Sequence, residues 1–221
     1  MRVLVVTAVP AERDAVTRAL GPGPGDIDVI AAGVGPAAAA AGTATALALA
    51  SATRPYALVI SAGIGGGFHP VAPLASLVVA DAIVAADLGA ETPDGYLPVT
   101  ALGFGAVEHL PPASLVRAVA GATGALTGTV LTVSTVTGSA ARAAELRGRH
   151  AYAAAEAMEG FGVAEAAALH GVPVMEIRAV SNAVGPRDRA AWRIGDALDA
   201  LAGAFGKLVP VLERWDEDDD H

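Results

Sequence analysis

An α/β fold with a largely parallel sheet covered on both faces is what this sequence predicts, and three observations predict it. Apolar, β-branched runs recur between helical stretches along the whole chain. No low-complexity linker or internal repeat interrupts the alternation. The 221 residues are 53% hydrophobic, enough for one large domain with a substantial core. The expected division is a single domain over 1–214 and an acidic, disordered tail over 215–221.

The elements follow in order. "RVLVV" (2–6) is an apolar strand, and a helix is expected near 10–20. "GPGPGD" (21–26) is a turn leading to a second strand, "DVIAA" (28–32). The stretch 36–52 is mostly alanine, broken by Gly42, Thr43 and Thr45, and reads as a tightly packed soluble helix rather than a membrane span. Strands follow at "YALVISA" (56–62) and "SLVVADAI" (76–83), then a helix near 113–121 and a strand at "GTVLTVS" (128–134). Helices near 139–148 and 156–169 precede the strand "PVMEIRAV" (173–180), and a last helix is expected over 189–213. The closing "WDEDDDH" has no periodicity and reads as a solvated acidic end.

Composition excludes several functions. The formal charge is −9, from 23 acidic and 14 basic residues, so the chain lacks the positive footprint that binding nucleic acid requires. With no cysteine, disulfides, thiolate catalysis and Cys-based zinc sites are excluded, which is compatible with the cytoplasm. The first nine residues are too short for a signal sequence, because Glu12 and Arg13 arrive before a full apolar segment is built. The histidines at 69, 109, 150, 170 and 221 show no metal-ligand spacing, so no metal site is supported.

Four stretches can carry chemistry. Glu12, in "TAVPAERDAV", is either an acid favoured by a helix N-terminus or a carboxylate at a strand's end, placed to activate water. The glycines of "SAGIGGGF" (61–68), after a strand, form either a tight turn or a backbone that approaches a ligand closely. They match neither a phosphate-binding P-loop nor a dinucleotide fingerprint. In "AEAMEGFGVAEAAALHG" (155–171), Glu156 and Glu159 are expected to share one helix face. An acid beside Met158 suits a ribose, whose vicinal hydroxyls donate to the carboxylate while the thioether covers the sugar. Finally, "VMEIRAVSNAVG" (174–185) is an apolar strand ending on Ser181 and Asn182, at the strand end where α/β ligands sit.

Together and in this order, these stretches resemble the nucleoside phosphorylase/nucleosidase superfamily. The nearer likeness is to the 5′-methylthioadenosine/S-adenosylhomocysteine nucleosidases and their relatives, the futalosine hydrolases of menaquinone biosynthesis. The resemblance covers nearly the whole chain and implies a three-layer αβα fold whose mostly parallel sheet is mixed and partly barrel-like. "VLVVTAVPAER" is similar to the family's opening strand and water-activating glutamate, here Glu12. "AAGVGPAAAAAGT" is similar to its Gly-x-Gly turn, and "SAGIGGG", with Ser61 and Gly63, to its ribose-side loop. "AMEGFGVAEAA" places Met158 and Glu159 against ribose, and the main chain near Ser134–Gly138, Val136 included, at the edge of the base pocket. The likeness also implies a homo-oligomer, dimer or higher, in which a partner's segment 102–113 closes the pocket.

"RAVSNAVG" resembles the family's Arg-x-x-Ser-Asp segment but has Asn182 in place of the aspartate. An aspartic acid can protonate purine N7 and release adenine. An amide instead offers one donor and one acceptor, matching O6 and a protonated N7 of a 6-oxopurine. Futalosine carries hypoxanthine, and hydrolysis of its N-ribosidic bond, which needs no cofactor, is therefore the expected activity. Methylthioadenosine-type nucleosidase and 6-oxopurine phosphorylase are the alternatives; against the latter, "AVPAERD" puts an acid where phosphate would bind. Ser181 is expected to brace Asn182, and Arg178 to be structural. Trp192 is expected to wall the 5′ pocket, with Arg187 or Arg189 pairing the carboxylate of futalosine's benzoate-like group.

Overall fold

The structure is a computed structural model and describes residues 1–21 and 26–215. β1 (Val3–Thr7) leads into α1 (Pro10–Leu20), and β2 (Ile27–Ala31) into α2 (Pro36–Ser51). Both helices open on a proline, whose missing N–H is one that a helix start leaves unpaired anyway. β3 (Leu58–Gly67), β4 (Leu77–Ala85) and a hairpin of β5 (Gly89–Thr92) and β6 (Gly95–Pro98) follow. Then come β7 (Glu108–His109), α3 (Ala113–Thr123), β8 (Leu126–Thr132), α4 (Ala140–Arg149) and β9 (Ala153–Ala157). The chain finishes through α5 (Gly160–Leu169), β10 (Val174–Ala183) and α6 (Ile194–Leu212).

β2, β1 and the first half of β3 form a parallel wing. Beyond it the strands close on themselves. β3 pairs with β10 in parallel and β10 with β4 antiparallel; β4–β8 and β8–β9 are parallel, and β9 returns antiparallel to Gly66 and Gly67 of β3. This ring of five strands is the barrel-like part of a mixed sheet. Apolar side chains on opposite faces feed two cores. Val3, Val5 and Ile60 meet α1, α3 and α6 through Val16, Leu115 and Phe205. Leu4, Val6 and Val59 meet α2 and α5 through Ala39, Leu47, Phe161 and Val163. A smaller cluster under α4 holds Phe68, Leu131 and Leu146. Among the described residues, no helix is long and apolar enough to cross a membrane.

Three sequence expectations need correction. Residues 153–157 are strand β9, and the helix expected from 156 begins at Gly160. "AAAEA" carries no β-branched residue, so composition conceals the strand. Its small side chains serve packing: a Cβ at Gly128 of neighbouring β8 would already lie 2.8 Å from Ala154 Cβ. Glu156 and Glu159 therefore share no helix face. "SAGIGGG" (61–67) does not follow a strand but is one, the half of β3 that closes the barrel. The loop expected over 102–113 contains β7, and the β5–β6 hairpin went unread. Residues 22–25 of the "GPGPGD" turn and 216–221 of the tail lie outside the described residues. Trp215 packs on the α6 side of the sheet and its Nε1–H donates to Ser114 Oγ at 2.8 Å.

Candidate active site

A cavity of about 260 Å³ opens where the carboxyl ends of β1, β3, β9 and β10 meet the start of α1. Glu12, Met158, Glu159, Asn182, Arg187 and Trp192 all line it. Sheet ends are where an α/β fold turns unpaired backbone and loop side chains toward a ligand.

Glu12 is buried in the first turn of α1. Its Oε2 accepts the Ala8 N–H at 2.9 Å and the Val9 N–H at 3.2 Å, and its Oε1 the Ile64 N–H at 2.9 Å. The two readings of this residue merge, because one carboxylate satisfies a helix start and faces the cavity. Gly63 makes room for it: a Cβ there would fall 2.6 Å from Glu12 Oε1 and 2.6 Å from Arg178 Nη1. Gly63 is thus a spacer and is not itself at the cavity wall.

Arg178 organises the acids behind the sugar end. Fully enclosed on β10, it donates from Nε to Glu176 Oε1 at 2.8 Å and from Nη1 to Glu159 Oε2 at 3.2 Å. Its Nη2 donates to Ser61 Oγ at 2.9 Å, so Ser61 serves the arginine and not a ligand directly. Burial opposes the charge on Arg178, yet Glu176, then Glu159 and Glu12, outweigh it and hold its pKa above the ordinary value. Burial pushes the Glu176 carboxyl up, with Arg178 pulling the other way. Glu159 Oε1 also accepts the Gly35 N–H at 3.2 Å, which ties the Gly-x-Gly turn to this acid. Three acids around one guanidinium make this end of the cavity suited to a developing positive charge. Glu176 was missed in the sequence; its spacing of two from Arg178 on a buried strand, which puts both on one face, was the available signal.

The other end is built by β10, β9 and the loop after β8. The Ser181 hydroxyl has one proton and two acceptors in reach, Asn182 Oδ1 at 2.9 Å and the Gly65 carbonyl at 3.1 Å; donated to Oδ1, it braces the amide. Asn182 Nδ2 donates to the Ala183 carbonyl at 3.0 Å. One Nδ2–H and one Oδ1 lone pair remain on a residue that lines the cavity. Val136 and Thr137 line this end as the resemblance implies, but Ser134 does not: it is exposed, and its N–H donates to Asp87 Oδ2 at 2.7 Å. Glu156, read as a helix acid, faces the cavity from β9. Its Oε1 accepts the Thr137 N–H at 2.8 Å and its Oε2 pairs with the Thr137 hydroxyl; burial pushes its carboxyl up while Thr137 pulls it down.

Toward the mouth, Trp192 lines the cavity with Pro186 and Arg187. The Arg187 and Arg189 guanidinium carbons stand 5.3 Å and 5.7 Å from the Trp192 ring centroid, within cation–π range. Arg187 reaches the cavity wall and Arg189 stays outside it. Among the described residues, no three His, Asp or Glu side chains are grouped to hold a metal ion.

The phosphorylase superfamily model matches residues 8–210. The chain is 69% identical, over 230 aligned positions, to a futalosine hydrolase of Streptomyces coelicolor, covering 97% of this chain and 98% of that one. It is 46% identical to a futalosine hydrolase of Acidothermus cellulolyticus, over 93% of this chain and 89% of the relative. Its fold is similar to a crystal structure of 5′-methylthioadenosine/S-adenosylhomocysteine nucleosidase from Neisseria meningitidis in complex with methylthio-immucillin-A. That match has a TM-score of 0.80 at 19% identity and covers 95% of this chain and 99% of that one.

Proposed function

The chain belongs to the futalosine hydrolases of the phosphorylase superfamily, and from that premise we propose how its cavity works on futalosine. The reaction is hydrolysis of the N-ribosidic bond, releasing hypoxanthine and the dehypoxanthine product on the route to menaquinone. Glu12 orients and deprotonates water for attack at C1′ while the sugar gains oxocarbenium character. Glu159 accepts hydrogen bonds from the 2′- and 3′-hydroxyls, and Met158 covers the apolar face of ribose. Arg178 keeps Glu159 and Glu12 in register, and the surrounding acids favour the cationic transition state. N7 takes its proton from solvent, and Asn182 donates to O6 and accepts from N7–H, bonds that strengthen as the base departs.

The observation that carries this reading is the state of Asn182. Ser181 and the Ala183 carbonyl engage the amide, and one Nδ2–H and one Oδ1 lone pair stay uncommitted on this cavity-lining residue, which supports a base carrying one acceptor and one donor there. Hydrolysis is favoured over phosphorolysis because the Glu12 carboxylate already accepts the three backbone N–H groups that an anion would use. At the mouth, Trp192 walls the 5′ substituent and Arg187 meets its carboxylate. Exposed Leu102, Phe104 and Leu110 support a homo-oligomer in which a partner's 102–113 segment covers the cavity, and we place the enzyme in the cytoplasm. Incubating the purified protein with futalosine tests the function. Hypoxanthine should appear at the same rate with and without phosphate; a phosphate requirement, or no free base, removes the proposal.

A further inference from the structure

The reaction as described uses Glu12, Glu159 and Asn182 and leaves one cavity acid, Glu156, without a task. We propose that Glu156 is a specificity-determining residue that accepts the N1–H of the 6-oxopurine base, an inference that rests on the hypoxanthine reading above.

Placement is the first argument. Gly66 of β3 pairs with Asn182 on one side and with Glu156 on the other. The two polar residues therefore flank one strand position, roughly 10 Å apart across two strand spacings. That span accommodates a purine edge with a hydrogen bond at each side. Gly66 supplies a bare backbone floor between them: a Cβ there would fall 2.9 Å from Val184 Cγ2 and 3.3 Å from Asn182 Nδ2.

The second argument is the hydrogen-bond inventory. Glu156 is buried, and the Thr137 N–H and hydroxyl occupy one acceptor site on each oxygen. A carboxylate has about four such sites, so acceptor capacity remains on a side chain that lines the cavity. Thr137, meanwhile, has given its backbone donor to Glu156. This edge of the cavity thus offers the base an acceptor instead of the Thr137 N–H.

Base chemistry closes the argument. Hypoxanthine carries a proton on N1, whereas N1 of adenine is a bare acceptor. A carboxylate bonds the first with charge assistance and repels the second. Asn182 reads the O6/N7 edge and Glu156 the adjoining N1 position, so two independent groups reject a 6-aminopurine.

A plain brace for the Val136–Thr137 loop would also use the Thr137 bonds, and the experiment separates the two roles. Glu156→Gln keeps the brace, because the amide oxygen can accept the Thr137 N–H while its NH₂ bonds the hydroxyl oxygen. What it loses is the charge. Inhibition of futalosine hydrolysis by free hypoxanthine and by 1-deazahypoxanthine, which has C–H in place of N1–H, is measured for the wild-type enzyme and this variant. Hypoxanthine should bind the wild type about 10–100-fold more tightly than its 1-deaza analogue, the worth of one charge-assisted hydrogen bond. In Glu156→Gln that ratio should drop by about tenfold. A wild-type ratio near one overturns the proposal without any variant, and so does a variant that weakens both bases equally. If the wild type releases no hypoxanthine from futalosine, the hypoxanthine reading itself has failed, a result distinct from either.

Discussion

Glu12 illustrates how one side chain can carry both structure and chemistry. Its two oxygens receive three backbone N–H groups from two segments, so the carboxylate is held still while it faces the cavity. Glu12→Gln should lower turnover by roughly 10²–10⁴-fold, the usual worth of a general base, with little change in KM. It should also cost about 1–3 kcal/mol of stability, because an NH₂ would face a buried N–H. Steady-state kinetics and urea unfolding check the two effects, and near-normal turnover would remove Glu12 from the mechanism. Arg187 and Arg189 divide differently. Because Arg187 reaches the cavity wall and Arg189 does not, Arg187→Ala should raise KM for futalosine and spare inosine, whereas Arg189→Ala should change neither much. Equal loss of both substrates in Arg187→Ala would show that it does not read the 5′ carboxylate. Glu12, Met158, Glu159 and Asn182 were legible because each sits in a local motif. The true setting of Glu156 was not, since its partner Thr137 becomes a neighbour only through strand packing; Glu176 had only its spacing of two from Arg178 as a signal, with no motif around it.

At the scale of elements, long runs with β-branched residues declared themselves and alanine-rich pieces did not. β1, β4 and β8 are apolar and branched; β9, "AAAEA", looks like helix because small residues favour helices when no tertiary context is known. Tertiary crowding is what selects it as a strand. The glycine-rich half of β3 resembles a loop in sequence for a related reason. It must pair with β10 on one edge and β9 on the other, and close approach there excludes side chains. A Cβ at Gly65, for instance, would lie 2.7 Å from the Glu156 carbonyl. The contact between α2 and α5 obeys the same rule, since a Cβ at Gly162 would sit 2.0 Å from the Pro36 carbonyl. Gly162→Ala should therefore destabilise the fold by at least about 1–3 kcal/mol through overpacking. Because Pro36 adjoins Gly35, which donates to Glu159, activity should fall even where the protein remains folded. Urea midpoints with kinetics on the folded fraction measure both, and unchanged stability would contradict this account of the helix contact.

The whole molecule concentrates buried acid at one end of its barrel, which gives its stability a pH signature. Burial raises the Glu156 carboxyl above its ordinary 4.5, so the folded state keeps a proton that the unfolded chain releases. Its contribution is complete below that ordinary value and is lost as pH rises through the raised one. Glu156→Gln should accordingly lose less stability than the wild type as pH rises above that ordinary value, as read from urea midpoints. Parallel curves for the two proteins would contradict the shift. The domain's α/β class followed from strand–helix alternation alone, whereas the barrel closure entered through family likeness, because ring closure depends on pairings that no local pattern encodes. That closure brings Asn182 and Glu156 to either side of Gly66, and with them the choice of base. The most direct test compares kcat/KM for futalosine and for its 6-amino analogue in the wild type and in Asn182→Asp. The account predicts that the wild type prefers the 6-oxo substrate by at least about 100-fold and that Asn182→Asp narrows this gap by losing activity on futalosine. A wild type that hydrolyses the 6-amino analogue, or methylthioadenosine, as fast as futalosine would contradict it.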